Sequence, residues 1–238
     1  RYSVSTHRGC YGECNFCAIA VHEGRTIRWR SPESVAAEVE ALVEVPGFKG
    51  YVLDVGGPTA NMYGFECPVK LRKGPCEGKR CLYPETCPTL PIDHSKQIGL
   101  LRKLRDLDGV EKVFVGSGLR YDMILADSQH GEAYMNELVK HHVSGQLKVA
   151  PEHTQPDVLA RMGKPGCDDL LAFKSRFESI NQEIGKKQFL SYYLIAAYPG
   201  CTVEDMHALK QFAHQKLGLL PEQVQVFEPI VKGRYYIS

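Results

Sequence analysis

Cys10-Tyr11-Gly12-Glu13-Cys14-Asn15-Phe16-Cys17 follows directly on the strand-like stretch Tyr2–Thr6 at the start of this 238-residue chain. Its three cysteines are spaced C-x3-C-x2-C. Three thiolates so placed can cap three corners of a cubane iron–sulfur cluster and leave the fourth iron open to a small molecule. Clusters that only carry electrons usually have all four irons capped by cysteine. A structural zinc ion would need a fourth protein donor, and His7 and His22 are the histidines at hand.

Outward from this stretch, short β-rich runs alternate with longer segments of helical period. The strand candidates are Tyr2–Thr6, Tyr51–Val55, Val113–Val115, Gln146–Ala150, Phe189–Ala196 and Val224–Phe227. Several are unbroken apolar runs, as expected of strands covered on both faces. Ser31-Pro32 supplies an N-cap and a first-turn proline to a helix striped by Val35, Val39, Leu42 and Val43, which Pro46-Gly47 ends. Further helical patterns cover Ser95–Leu107, Gly131–His142, Gln155–Met162, Asp168–Ile184 and Val203–Leu217.

Strands and helices in this alternation predict parallel βαβ units with right-handed crossovers. The fold class is α/β, a partial (β/α)6 TIM-like barrel, with an open doubly wound sheet as the alternative. In both, reactive residues belong at the C-terminal ends of the strands.

The length suits one domain with a full core. Basic and acidic residues number 29 and 28, a net charge of +1, which gives no electrostatic support to a nucleic-acid or membrane-surface partner. No apolar run is long enough to suggest a membrane span. Seven of the nine cysteines fall in two groups, which favours metal ligation over disulfides and a reducing, cytoplasmic setting.

From Gly56 to about Ile92 the pattern breaks into glycine, proline, basic residues and four cysteines. A structureless connection of this length needs a cross-link. Cys67, Cys76, Cys81 and Cys87 can supply one, as ligands of zinc or of an auxiliary [4Fe–4S] cluster. Residues 58–92 are therefore expected to be a Cys-rich metal-binding insertion after the second strand. Two of its cysteines precede proline (Cys67-Pro68, Cys87-Pro88), and the C-x2-C knuckle usual in zinc modules is absent.

The first cysteine motif, with aromatic Phe16 before its last cysteine, resembles that of the radical S-adenosylmethionine (SAM) superfamily. The likeness runs from Tyr2 to about Pro229 and narrows to the YgiQ-type subgroup. It is carried by Asp54-Val55-Gly56-Gly57-Pro58-Thr59-Ala60-Asn61-Met62-Tyr63, Ser117-Gly118-Leu119-Arg120-Tyr121-Asp122 and Ala150-Pro151-Glu152-His153-Thr154. Met162 through Lys164-Pro165-Gly166, and Ala196-Ala197-Tyr198-Pro199-Gly200, also match.

The resemblance implies a [4Fe–4S] cluster on Cys10, Cys14 and Cys17, with SAM on its open iron. One electron then yields a 5′-deoxyadenosyl radical that abstracts hydrogen from a substrate the sequence does not reveal. By the same resemblance Gly56 and Gly57 meet the methionine amino group, although Pro58 stands where the family usually has glutamate. Glu152 would accept the ribose hydroxyls, Arg120 and Lys164 pair with the carboxylate, and Phe16 and Tyr198 flank the adenine. A one-electron reductant such as a flavodoxin or ferredoxin is the implied partner, and flanking domains are expected beyond residues 1–238. The competing classes are an iron–sulfur electron carrier and a zinc-stabilised binding module.

Overall fold

The computed structural model describes residues 2–219 and 224–228. Its ordered elements are β1 (Ser3–Ser5), β2 (His7–Arg8), α1 (Ile19–His22), β3 (Arg28–Trp29), α2 (Pro32–Val43), β4 (Tyr51–Val52), β5 (Asp54–Gly56) and α3 (Pro68–Lys73). They continue through α4 (Ser95–Arg105), β6 (Lys112–Val113), α5 (Tyr121–Ala126), α6 (Gly131–Glu137), β7 (Gln146–Glu152), α7 (Pro156–Met162) and α8 (Asp168–Glu183). β8 (Phe189–Ala196), α9 (Val203–Phe212) and β9 (Gln225–Val226) complete the series. The protein is an α/β chain. Among the described residues, no helix is long and apolar enough to cross a membrane.

Parallel pairing follows chain order. β1 pairs with β5 in the register Val4↔Val55, and β4 with β6 as Val52↔Val113. The Phe114 carbonyl accepts from Val55 N at 2.9 Å, which carries the second ladder one residue further. Leu119 bridges Val149 of β7, β7 pairs with β8, and β8 with β9 as Ile195↔Gln225. Every one of these pairs is parallel, so the crossovers must pass over a face of the sheet. The helices supply that cover.

Local sequence explains where the helices begin and which face they bury. Ser31 Oγ accepts from Ser34 N at 3.2 Å and Pro32 opens α2, whose Val35, Ala36 and Val39 are buried. α4 buries Ile98, Leu100, Leu101 and Leu104, and α8 buries Leu170, Phe173, Phe177 and Ile180. These side chains meet Val4, Val52, Val55, Val113 and Val149 in one continuous core. Thr202 and Asp205 close a reciprocal capping box on α9.

Four local features differ from the sequence expectation. β2 and β3 pair antiparallel as His7↔Trp29, a clasp at the base of the first cysteine loop. The helix expected over Gly131–His142 is α-helical only to Glu137, and Leu138–His142 forms a wider π-turn. The same widening ends α9 at Ala213–Leu217. The long connection between β5 and α4 is not wholly irregular, because it holds α3.

Candidate active site

Backbone geometry sets the first cysteine loop. Gly9 has φ +91°, and a Cβ there would lie 2.6 Å from the Thr26 carbonyl oxygen, so the tight exit from β2 requires glycine. Cys17 N closes a turn on Cys14 O at 3.1 Å. Asn15 then ties the loop to the end of α7, its amide N reaching Met162 O at 2.8 Å and its Nδ2 reaching Arg161 O at 2.6 Å. A methyl group on Gly12 would meet Cys10 Sγ at 3.3 Å, Cys14 Sγ at 3.5 Å and Arg120 Nη1 at 3.4 Å. Glycine therefore keeps the space between two sulfurs and a guanidinium open.

That cradle and the donor chemistry fit a [4Fe–4S] cluster. Among the described residues no three cysteine sulfurs lie within 4.8 Å of one another, whereas a single tetrahedral zinc would hold thiolates about 3.8 Å apart. A cubane gives each thiolate its own iron and holds the thiolates further apart. His7 is not free to complete a zinc site. Its Nε2 contacts Thr59 O at 3.1 Å and its Nδ1 contacts Thr6 Oγ1 at 2.9 Å. Burial lowers its pKa to about 4 despite the opposing Thr59 bond and Glu23 charge, so the imidazole is neutral and Nε2 carries the proton donated to Thr59.

Three charged side chains converge on Cys14. Glu152 ends β7, where the pairing with β8 shifts between Val149 and Glu152. Pro151 sits in that irregularity, and Glu152 itself has φ +68°, so the bulge turns its carboxylate off the ladder. Lys164 Nζ lies 3.9 Å from Glu152 Oε1 and donates to Ala150 O. Both side chains are buried. Burial pushes the Glu152 carboxyl up against the pull of Lys164 and Arg120. It pushes the Lys164 ammonium down, against Glu152. Burial also raises the Cys14 thiol, which Lys164 and Arg120 oppose.

Arg120 is committed elsewhere as well. Its Nε donates to Asp122 Oδ1 at 2.8 Å and its Nη2 to Asp122 Oδ2, leaving Nη1 4.0 Å from Cys14 Sγ. The fork expected to clamp a carboxylate is thus occupied by Asp122, and the free corner faces the thiol. Asn61 fixes the Arg120 backbone on both sides, accepting from its N–H at 2.9 Å and donating to its carbonyl at 2.9 Å. Asn61 Nδ2 also meets His94 Nε2 at 3.3 Å, and His94 Nδ1 meets Asp127 Oδ2 at 2.8 Å. Neither His94 nor Asp127 has a sequence signal for this role. Asn61 and Asp122 both lie inside quoted motifs, Asp122 only two residues beyond Arg120, and those positions were the available clue.

Gly56 and Gly57 differ in what they do. The Gly56 carbonyl accepts from Thr6 N at 2.7 Å, while the Thr6 hydroxyl, 3.2 Å from that carbonyl, gives its one proton to the nearer His7 Nδ1. Gly57 lies against the His7 ring, where a Cβ would be 2.6 Å from Cε1 and Nε2. Among the described residues, no hydrogen bond to the Gly57 carbonyl is present.

Phe16 packs, half-buried, against the cluster of Val158, Leu159, Met162, Ile195 and Tyr198. Tyr198 is buried, its hydroxyl donating to Arg161 O at 3.2 Å. The described non-glycine residues with positive φ are Glu13, Glu152 and Ala197. One lies in the cysteine loop, one ends β7 and one follows β8, and such strain persists only where surrounding structure enforces it.

The second cysteine set is gathered in part. Cys67, Cys81 and Cys87 are buried in one cluster with Tyr11, Ile27, Met62 and Phe65. Cys76 is half-buried, and its carbonyl accepts from Arg25 Nη2 at 2.9 Å. The hydroxyl of Thr89, followed by the charge of Lys79, pulls the Cys87 thiol down.

No family model matches the chain. It is 56% identical over 229 residues to the UPF0313 protein FN0734 of Fusobacterium nucleatum, covering 96% of this chain and 40% of that protein. A UPF0313 protein of Methanocella arvoryzae is 46% identical over 229 residues, covering 96% and 37%. The chain thus spans well under half the length of these relatives.

Among solved structures it superposes on the radical SAM methyltransferase TsrM from Kitasatospora setae, solved with cobalamin and a [4Fe–4S] cluster. The TM-score is 0.57 and the identity 18%, over 94% of this chain and 36% of that one. The cobalamin-dependent SAM radical enzyme OxsB gives a TM-score of 0.60 at 13% identity, over 90% and 26%. The chain shares its fold with these two enzymes. In sequence the chain is similar to the UPF0313 proteins along nearly its whole length.

Proposed function

We propose that this chain is the core of a radical SAM enzyme built on a partial (β/α)6 barrel, with a [4Fe–4S] cluster on Cys10, Cys14 and Cys17. The supporting observation is the convergence of buried Lys164, Arg120 and Glu152 around Cys14, at strand ends whose backbone is strained. When bound, the cluster supplies one electron that cleaves SAM to methionine and a 5′-deoxyadenosyl radical, which takes hydrogen from a substrate.

The chain's residues bind and orient. The Lys164 ammonium is buried with one carbonyl and a carboxylate 3.9 Å away, so it has donor capacity left for the methionine carboxylate. The Gly57 carbonyl, rather than that of Gly56, accepts from the methionine amino group. Glu152 takes the ribose hydroxyls as acidic residues do in other nucleotide sites. Phe16 and Tyr198 share the apolar cluster beside the loop and form the adenine wall. Arg120 acts through charge, its Nη1 balancing thiolate at Cys14. Asp122 and Asn61 hold it there. A flavodoxin- or ferredoxin-like one-electron donor would reduce the cluster.

The test is anaerobic reconstitution of the full chain with iron and sulfide, followed by dithionite and SAM. Formation of 5′-deoxyadenosine is expected. Cluster-loaded protein that forms none would overturn the enzymatic reading.

A further inference from the structure

Arg80 lies in the connection between β5 and α4, within Lys79-Arg80-Cys81-Leu82. The two residues after it are buried in the apolar cluster with Tyr11, Met62 and Phe65, and Cys87 N folds back onto Cys81 O at 2.8 Å. The backbone is therefore fixed where the Arg80 side chain leaves it. The Tyr83 ring centre lies 5.8 Å from the guanidinium carbon, close enough for cation–π attraction.

From that base the side chain crosses to two other segments of the candidate site. Nη2 donates to Asn15 Oδ1, and Asn15 stands between Cys14 and Phe16. Nη1 packs on Gly163, where an added Cβ would overlap it and would also lie 3.5 Å from Asn15 Oδ1. Gly163 ends α7 with φ +68°, so glycine is required twice, by the backbone and by the guanidinium. The next residue is Lys164. Burial raises the Tyr198 phenol and the charge of Arg80 opposes that rise, which puts the guanidinium near the proposed adenine wall as well.

Stability does not account for this arrangement. Nη1 is buried with no acceptor among the described residues, and an unpaired buried donor is a cost to the fold. What the guanidinium supplies is geometry. Asn15 joins the cysteine loop to α7 through its backbone N, 2.8 Å from Met162 O, and its Nδ2, 2.6 Å from Arg161 O. Only the Nδ2 end of that amide can donate to a carbonyl, and Arg80, by holding Oδ1, fixes which end faces α7. A planar fork can reach Asn15 and Gly163 together, which a lysine cannot. Resting on the SAM reading above, we propose that Arg80 is a positioning residue for SAM. It locks the Cys14–Cys17 loop to the turn after α7 and so sets where the Lys164 ammonium meets the methionine carboxylate.

The experiment measures SAM binding to the cluster-loaded full chain by equilibrium dialysis. Iron content and the electron paramagnetic resonance spectrum of the reduced cluster are recorded in parallel. Arg80→Met should keep the iron content and SAM-free spectrum of wild type and weaken SAM binding at least about threefold, as for residues coupled in one network. Equal affinity in the two proteins would overturn the inference and leave the SAM reading intact, whereas a wild-type protein that binds no SAM would overturn both. In a Lys164→Met background, Arg80→Met should add less than about twofold to the loss. The same fold-loss in both backgrounds would refute action through Lys164. Arg80→Lys keeps the charge and loses the fork, so its SAM affinity should stay below that of wild type. Full affinity in the lysine variant would reduce the role to charge and overturn the positioning. Should Arg80→Met fail to hold iron, Arg80→Lys decides on the same readings.

Discussion

At the residue scale, neighbouring glycines of one motif carry different loads. The His7 ring that crowds Gly57 is pinned at both nitrogens, to Thr6 and to Thr59, so it cannot swing away cheaply. Gly57→Ala should therefore cost about 1–3 kcal/mol of stability, the range for overpacking, in a urea titration. Gly56→Ala, whose added Cβ meets nothing nearer than 3.5 Å, should cost much less. Combining Gly57→Ala with His7→Ala should recover part of the loss, because contacting residues couple, and strict additivity would contradict the contact.

A second residue-scale expectation concerns Lys164. Its charge is the one free to meet a carboxylate, since the Arg120 fork is filled by Asp122. Hydrogen bonds to charged groups contribute about 1.5–3 kcal/mol. Lys164→Met should weaken SAM binding by tenfold or more in equilibrium dialysis while leaving iron content unchanged. An unaltered SAM affinity would move the carboxylate site elsewhere.

At the element scale, the loop between α5 and α6 is fastened by one carboxylate. Asp127 accepts from His94 N and Nδ1, both at 2.8 Å, and from Gln129 N and His130 N at 3.2 and 2.9 Å. Burial alone would raise its pKa, but the bonds from the His94 ring and the His130 and His94 amides outweigh it and hold the carboxyl well below the usual range. A carboxyl depressed in the fold contributes stability above its unfolded pKa of about 3.9 and loses it as pH falls toward the folded value. Asp127→Asn should thus be about 1–3 kcal/mol less stable than wild type at pH 7, with the gap narrowing below about pH 4. A gap independent of pH would show that shape, not charge, is what the loop needs.

Element existence was legible wherever a segment repeated its apolar period over several turns, as in α2, α4 and α8. α3 and α5, of six residues each, are too short to show a period. The change to a π-turn at Leu138–His142 escapes reading for another reason. It places His142, whose ring meets Val113 O at 2.7 Å and whose carbonyl accepts from Val115 N at 2.9 Å, and those partners lie far away in sequence.

At the scale of the whole molecule, the candidate site draws on segments that only the strand order brings together. The cysteine motif was legible because its spacing is local. The Thr59 contact of His7 and the Asn61–His94–Asp127 chain were not, because each depends on packing rather than spacing. This dispersal has a measurable consequence. If SAM is held by the cysteine loop, Gly57, Glu152, Lys164 and Tyr198 together, its binding energy must appear as global stability. Saturating the cluster-loaded protein with SAM at about 100 times its Kd should raise the unfolding free energy by about 2.7 kcal/mol. Hydrogen-exchange protection should rise jointly after β2, β5, β7 and β8, and not along α8, which contributes no residue to the proposed SAM site. Cys14→Ala should abolish both effects. Protection confined to a single one of those segments would mean that SAM is not the ligand these strand ends were brought together to hold.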